Sequence, residues 1–161
     1  MAVLDLSLDG RNGLEVLKEL KQIRTSLRVL ILTMHSEEQF ARRAFKAGAD
    51  GYITKASPRS ELVKAVNKVM EGGKYISPAL AEMFIIDFAK GVDRAPHEIL
   101  SDREFEVMRQ IASGKTVSEI AQILSLSDRT ISTYRARLLE KMGMKTNAEI
   151  TYYTIQNKLI E

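Results

Sequence analysis

The sequence predicts two folded parts in series: a small α/β unit with parallel strands in the order β-α-β-α-β-α, then an all-helical unit of four helices. Three observations carry this. Short apolar runs at Val3-Leu4, Val29-Leu30-Ile31-Leu32 and Gly51-Tyr52-Ile53 alternate with amphipathic stretches, the pattern of a parallel sheet buried on both faces. From Ser101 onward the strand pattern stops and only helical periodicity remains. Between them, Gly91 to Leu100, with Pro96 and mixed charges, reads as a linker. A chain of 161 residues is long enough for two small domains.

The elements follow from local signals. Ser36-Glu37-Glu38-Gln39 has capping-box spacing, and Ser57-Pro58 and Ser77-Pro78 each place a cap before a proline at a first helical position. Gly48 and Gly72-Gly73 are helix stops. Ser77-Pro78 opens a linker helix expected over residues 78–90. In the second part, Ser101…Glu104, Thr116…Glu119 and Thr146…Glu149 fit the capping box, and Gly114 and Gly143 punctuate the run. Helices are expected at 102–113, 117–124, 128–142 and 147–158.

Composition excludes several classes. There is no cysteine, which removes disulfides and thiolate zinc sites and permits a reducing cytoplasm. Two histidines, His35 and His97, are too few for a His-rich metal centre. No apolar run is long enough to span a bilayer, and the N-terminus lacks a basic-then-apolar signal pattern. No G-x-S-x-G, H-E-x-x-H or Gly-rich phosphate loop is present, so an enzyme is not expected. The net charge is only +3, from 24 Lys and Arg against 21 Asp and Glu. An equal excess sits in residues 128–145 alone, where Arg129, Arg135, Arg137, Lys141 and Lys145 face only Asp128 and Glu140.

Val117, Ile120, Ala121 and Leu124 make one apolar face of a short helix, and Ser125-Leu126-Ser127 leads into a longer one. Short helix, brief turn, longer helix is the helix-turn-helix plan. In the longer helix Ile131, Tyr134, Leu138 and Met142 share a stripe, leaving Arg129, Thr133, Ala136 and Glu140 opposite, flanked by Ser132 and Arg137. Small residues at the centre let such a helix approach base edges, and flanking arginines meet phosphates.

Leu100-Ser-Asp-Arg-Glu-Phe-Glu-Val, Ala112-Ser-Gly-Lys-Thr-Val-Ser-Glu-Ile-Ala and Leu126-Ser-Asp-Arg-Thr-Ile-Ser-Thr-Tyr resemble the LuxR/FixJ-type (NarL-like) helix-turn-helix domain over residues 100–161. Glu104 matches the family's structural acid, Gly114 its turn glycine and Lys141-Met142-Gly143 the end of its recognition helix. The resemblance implies that Ser132, Thr133 and Ala136 face bases, while Thr130, Tyr134, Arg135, Arg137 and Lys141 approach phosphates of double-stranded DNA. Tyr134 stands where many relatives carry histidine. Ala136 can offer a base only a methyl contact. Ala148, Tyr152, Ile155 and Leu159 correspond to the family's dimerisation helix and imply a homodimer; packing within the same domain is the other reading of that stripe.

In the first part, Asp5 follows one strand run, Thr33 ends the second and Lys55 follows the third. Parallel neighbours would bring the carboxylate, hydroxyl and ammonium to one rim, the ligand-binding edge of open α/β sheets. An aspartate there can accept a phosphoryl group, with the hydroxyl and lysine on its oxygens. Asp5-Leu-Ser-Leu-Asp-Gly-Arg-Asn-Gly13-Leu, Leu32-Thr33 and Gly51-Tyr52-Ile53-Thr54-Lys55 resemble a CheY-like receiver domain of bacterial response regulators over residues 1–75. The resemblance makes Asp5 the phosphoacceptor, Thr33 and Tyr52 switch residues and Lys55 the phosphoryl contact. Asp9 stands where proline is usual.

A full receiver of this type has two further βα units before the strand at Val3, whose acidic pair binds Mg²⁺ together with Asp5. The chain as it stands is therefore expected to be a partial receiver with an incomplete Mg²⁺ site and slow or absent phosphotransfer. A truncated piece, a start upstream of Met1 and a natural remnant receiver all fit this. The implied assignment is a cytoplasmic two-component transcription regulator, with residues 76–99 as linker helix and linker. Its implied partners are DNA, a sensor histidine kinase and RNA polymerase. The alternative is an interaction module that contacts RNA polymerase or another regulator without sequence-specific DNA binding.

Overall fold

The computed structural model of the protein describes residues 1–8, 11–89 and 95–160. Asp9 and residues 90–94 of the expected linker lie outside the described residues, as does the side chain of Gln39. The chain divides into two compact units, which among the described residues are essentially 1–89 and 95–160.

The first unit runs β1 (Ala2–Leu4), β2 (Ser7–Leu8), β3 (Arg11–Asn12), α1 (Gly13–Ile23), β4 (Val29–Thr33), α2 (Glu37–Lys46), β5 (Gly51–Thr54), α3 (Arg59–Met70) and α4 (Pro78–Ala89). The three expected strands form one parallel sheet in the order β1-β4-β5. Leu4 stands beside Ile31, and Ile31 beside Tyr52. Val29, Leu30 and Ile31 are fully buried, which explains why the middle strand reads as a continuous apolar run. Leu30 and Ile53 pack with Ala65 of α3, joined by Leu32, Leu62, Val66 and Tyr75. The short β2–β3 pair, on either side of residues 9–10, has no counterpart in the sequence expectation.

Helix starts in this unit depart from the capping signals. Asn12 caps α1, its side-chain oxygen accepting from the backbone N–H of Leu14 and Glu15 at 2.9 and 3.3 Å. At α2, Ser36 is the N-cap residue but its side chain makes no cap bond, so the expected hydroxyl half of that box is not formed. At α3 the N-cap residue is Pro58, and the Ser57 hydroxyl pairs instead with that of Thr54 at 2.9 Å. Ser77 caps α4 as expected, accepting from Leu80 N–H at 3.1 Å. Tyr75 bridges to Gly51 as a one-residue parallel extension of the sheet, and Tyr52 N–H donates to its carbonyl. Phe84 of α4 rests against Phe45 and beneath Arg42 of α2.

The far rim of the sheet is held by Asp50, whose side chain is 7% exposed. It accepts from Lys21 Nζ at 2.7 Å and Val29 N–H at 3.0 Å, with Arg28 and Lys74 each 3.6 Å away. Burial raises its carboxyl pKa, but the Lys21 and Val29 hydrogen bonds and the charges of Lys21 and Lys74 outweigh that and leave it below the usual aspartate value.

The second unit comprises a 3₁₀ turn (Pro96–Ile99), α5 (Asp102–Ala112), α6 (Val117–Leu124), α7 (Asp128–Met142) and α8 (Asn147–Gln156), the expected four helices. α5 packs on α7 and α8, and α6 on α7, around Phe105, Met108, Ile120, Ile131, Leu138 and Ile150. The capping boxes at Ser101 and Thr116 are complete, with both reciprocal bonds. At Thr146 only half forms: the hydroxyl accepts from Glu149 N–H, but the Glu149 carboxylate turns to Lys145 N–H at 2.6 Å. Gly143 ends α7 in the left-handed region, φ 65°, where a side chain would be strained. α8 is shorter than expected. Lys158 takes a left-handed conformation, φ 52°, and the chain turns back so that Leu159 is buried.

Asp50→Ala is expected to lower the stability of the first unit by about 2–3 kcal/mol in chemical denaturation, because Lys21 and Val29 N–H lose a charged acceptor. A folded-state pKa below the unfolded one contributes stability that is complete above the ordinary aspartate range and is lost as pH falls through the folded value. Asp50→Asn should therefore flatten the acid limb of the stability–pH curve while leaving the neutral-to-alkaline limb parallel to wild type.

Candidate functional site

Because β1, β4 and β5 are parallel, their carboxyl ends meet at one rim. Asp5 leaves β1, Thr33 ends β4 and Lys55 follows β5. The three expected residues come together there. Lys55 Nζ lies 2.6 Å from Asp5 Oδ2, and Ser7 N–H donates to Asp5 Oδ1 at 3.0 Å. The Thr33 hydroxyl is buried beside them and accepts from His35 N–H at 3.4 Å, close enough to Asp5 to help lower its pKa. Gly13 makes this geometry possible: a Cβ at that position would stand 2.5 Å from Leu6 Cα and 2.8 Å from the Asp5 carbonyl. Only glycine lets the start of α1 press on the backbone of Asp5 and Leu6.

Partial burial raises the pKa of Asp5, but hydrogen bonds from Lys55, Ser7 and Thr33, with the Lys55 charge, bring it below the usual aspartate value. The carboxylate is thus ionised at neutral pH and about a quarter exposed, the state an attacking oxygen needs.

Tyr52 is fully buried and its hydroxyl donates to the carbonyl of His35 at 3.0 Å. The segment that leaves Thr33 is therefore tied to β5. His35, to which the sequence assigned no role, stacks on Phe40 with ring centroids 4.4 Å apart, and its Nε2 lies 3.2 Å from Ser7 Oγ. Ser7 and His35 complete the rim, and neither has a spacing that would single it out in the sequence.

The second face is that of α7. Ile131 and Leu138 are fully buried, and Arg129, Ser132, Thr133, Ala136, Arg137 and Glu140 are exposed, as the helical stripe requires. Tyr134 is half-buried. Thr130 shares its hydroxyl with the Ser127 cap at 2.8 Å. Two of the expected phosphate-facing cations also have protein partners. Arg135 Nε donates to Asn147 Oδ1 of α8 at 2.6 Å. Lys141 Nζ lies 2.7 Å from Glu104 Oε2, whose side chain is 3% exposed. That ammonium neutralises a buried acid. Burial raises the Glu104 pKa, but Lys141 and the Ser101 bonds carry it below the usual value.

On α8, Ala148, Tyr152 and Ile155 are exposed, the last two at 69% and 57%. With Met144, Glu149, Tyr153 and Gln156 in place of Ile155, they line a shallow groove of about 500 Å³. Leu159 leaves the expected contact stripe. It lies in the core of its own unit because the helix ends three residues earlier.

Residues 98–154 match the family described as bacterial regulatory proteins of the luxR family, and residues 1–67 match the response regulator receiver domain. Response regulator GacA of Pseudomonas viridiflava is 30% identical over all of this chain and 76% of its own length. The chain belongs to the LuxR/FixJ-type response regulators. UvrY of Escherichia coli K12 is also 30% identical, over 99% of this chain and 73% of its own. Among solved structures, RcsB of Salmonella enterica serovar Typhimurium, bound to promoter rprA with phosphomimetic BeF3-, aligns with a TM-score of 0.58. It is 25% identical over 94% of this chain and 72% of RcsB. A LuxR-family regulator from Aurantimonas sp. SI85-9A1 is 39% identical over 54% of this chain and 62% of that one, with a TM-score of 0.50.

This response regulator is therefore a DNA-binding transcription factor of a two-component system, in a family of regulators rather than enzymes. Receiver domains of the family generally hold Mg²⁺ at an acidic pocket. Among the described residues no three His, Asp or Glu side chains stand together as a metal site, and both Asp5 oxygens are already hydrogen-bonded. The described residues do not by themselves fit that ion. Among the described residues no helix is long and apolar enough to cross a membrane.

Removing the Lys55 ammonium takes away the strongest of the contacts that lower the Asp5 pKa. In Lys55→Ala the Asp5 carboxyl should titrate at higher pH than in wild type, followed by the carboxyl carbon chemical shift. Superimposable titrations would show that the ion pair is not formed.

Proposed function

We propose that Asp5 is the phosphoacceptor of this regulator and that α7 is its base-reading helix. The observation that carries the first assignment is the Asp5–Lys55–Thr33 cluster at the carboxyl rim of the parallel sheet. In the reaction, an Asp5 carboxylate oxygen attacks the phosphorus of a phosphohistidine on a sensor kinase. The P–O bond forms as the P–N bond breaks, and the imidazole leaves with the electron pair. Lys55 and the Thr33 hydroxyl then move from the carboxylate to phosphoryl oxygens.

A hydroxyl drawn toward the phosphoryl group shifts the segment that follows Thr33. Tyr52 senses that shift through its bond to the His35 carbonyl. α2 carries it to α4 through the Phe45, Arg42 and Phe84 contacts. The division of labour follows the expected boundaries: residues 1–75 receive the signal, 76–99 relay it and 100–161 act on DNA.

Ser132, Thr133 and Ala136 face base edges, with Arg137, Thr130, Tyr134 and Arg135 on phosphates. Lys141 contributes to the field at the end of α7 while held by Glu104. The exposed Ala148, Tyr152 and Ile155 of α8 form the contact between two copies, which would read half-sites about 34 Å apart. The regulator works in the cytoplasm, where it meets its kinase, the promoter and RNA polymerase.

Two measurements test this. Any phosphoryl group that the wild-type protein gains from a small-molecule phosphodonor, slowly for want of a complete Mg²⁺ site, should be absent from Asp5→Asn by intact mass; equal labelling of both excludes Asp5. Duplex binding should weaken steeply with salt, and Arg137→Ala should reduce the slope of log K against log salt by about one unit.

A further inference from the structure

Thr133 and Ala136 stand one turn apart on the exposed face of α7, and their chemistry is narrower than their position alone suggests. The Thr133 hydroxyl donates to the Arg129 carbonyl, four residues back, at 2.9 Å. A threonine hydroxyl has one hydrogen and two lone pairs. With the hydrogen committed to the helix backbone, the side chain has an acceptor and a methyl left to offer. Ala136 adds a second methyl and no polar atom, on the neighbouring i+3 position about 5–6 Å away.

Such a pair cannot donate to guanine N7 or O6. In the major groove, the apolar feature it matches is the thymine C5 methyl, and the donors it can meet are the exocyclic amino groups of adenine and cytosine. Arg129 and Glu140 extend the same stripe to either end and Ser132 and Arg137 flank it, all exposed, so the two methyl groups sit at the centre of a polar face.

We propose that Thr133 and Ala136 select operator half-sites through thymine methyl groups, with Thr133 Oγ1 accepting from an exocyclic amino group beside them. The inference rests on α7 being the base-facing helix and specifies which bases that helix prefers.

The test uses the full chain and a pool of duplexes with a randomised central segment. The most enriched duplex is remade with deoxyuridine for thymidine, one position at a time, and binding is followed by fluorescence anisotropy. In each half-site, at least one such replacement should weaken binding about threefold to fivefold, the effect of removing one methyl from a buried contact. Thr133→Ser keeps the hydroxyl and removes the methyl, so the thymidine-to-deoxyuridine ratio at its position should fall to near one. Ala136→Gly should do the same at a second position, with thermal melting to verify folding; Thr133→Ser carries the test if that variant does not fold. Unchanged affinity for every deoxyuridine duplex, or an unchanged ratio in Thr133→Ser, overturns the proposal. Salt-insensitive binding with no enriched duplex defeats the reading of α7 as a DNA helix itself, and is distinguishable from a salt-sensitive binder that ignores thymine methyls.

Discussion

The first unit depends on the pairing of β4 with parallel neighbours on both sides. A strand buried on both faces leaves little freedom in how its neighbours pair, because a one-residue slip exchanges the two faces of a strand. With Leu4 beside Ile31 and Ile31 beside Tyr52, the residues that follow each strand are delivered to the same rim. Asp5, Thr33 and Lys55 meet there although they are far apart in the chain. The same register sets Tyr52 inside, with its hydroxyl on the segment beyond Thr33 and its N–H on the Tyr75 carbonyl. One residue of β5 thus touches both the rim and the stretch that leads into α4.

The helical unit has its own fixed point in Glu104. Its carboxylate takes the Ser101 N–H at the start of α5 and the Lys141 ammonium near the end of α7. A buried acid of this kind costs desolvation and is tolerated because the charge is paired and hydrogen-bonded. The pairing joins the first turn of α5 to the last turn of α7. It also changes the meaning of Lys141, whose charge first serves the fold of the unit that presents α7.

Charge is distributed with the same economy at both sites. At the carboxyl rim one partly exposed carboxylate faces one ammonium. At the opposite rim Asp50 is surrounded by Lys21, Arg28 and Lys74 and is withheld from chemistry by its burial. Asp5 follows its strand and Asp50 precedes one, so in a parallel sheet the two aspartates fall at opposite rims and meet different surroundings.

Much of this protein was legible in its sequence where the deciding physics is local. Apolar runs set the strands, helical spacing set the buried stripe of α7, and capping at Ser77, Ser101 and Thr116 marked helix starts correctly. Parallel topology then predicted the meeting of Asp5, Thr33 and Lys55. Caps failed where a side chain found a better partner in three dimensions, as Ser57 did in Thr54 and Glu149 in Lys145. Leu159 was misplaced because a periodicity carries no information about where the backbone will turn, and Lys158 turns it. The roles of Ser7, His35, Asn147 and the Lys141–Glu104 pair came only with the tertiary structure. Each depends on contacts between residues that no sequence period connects or on a side chain's choice among competing partners. Sequence alone determined which elements form and which faces they bury; only the packed chain decided which polar groups satisfy one another.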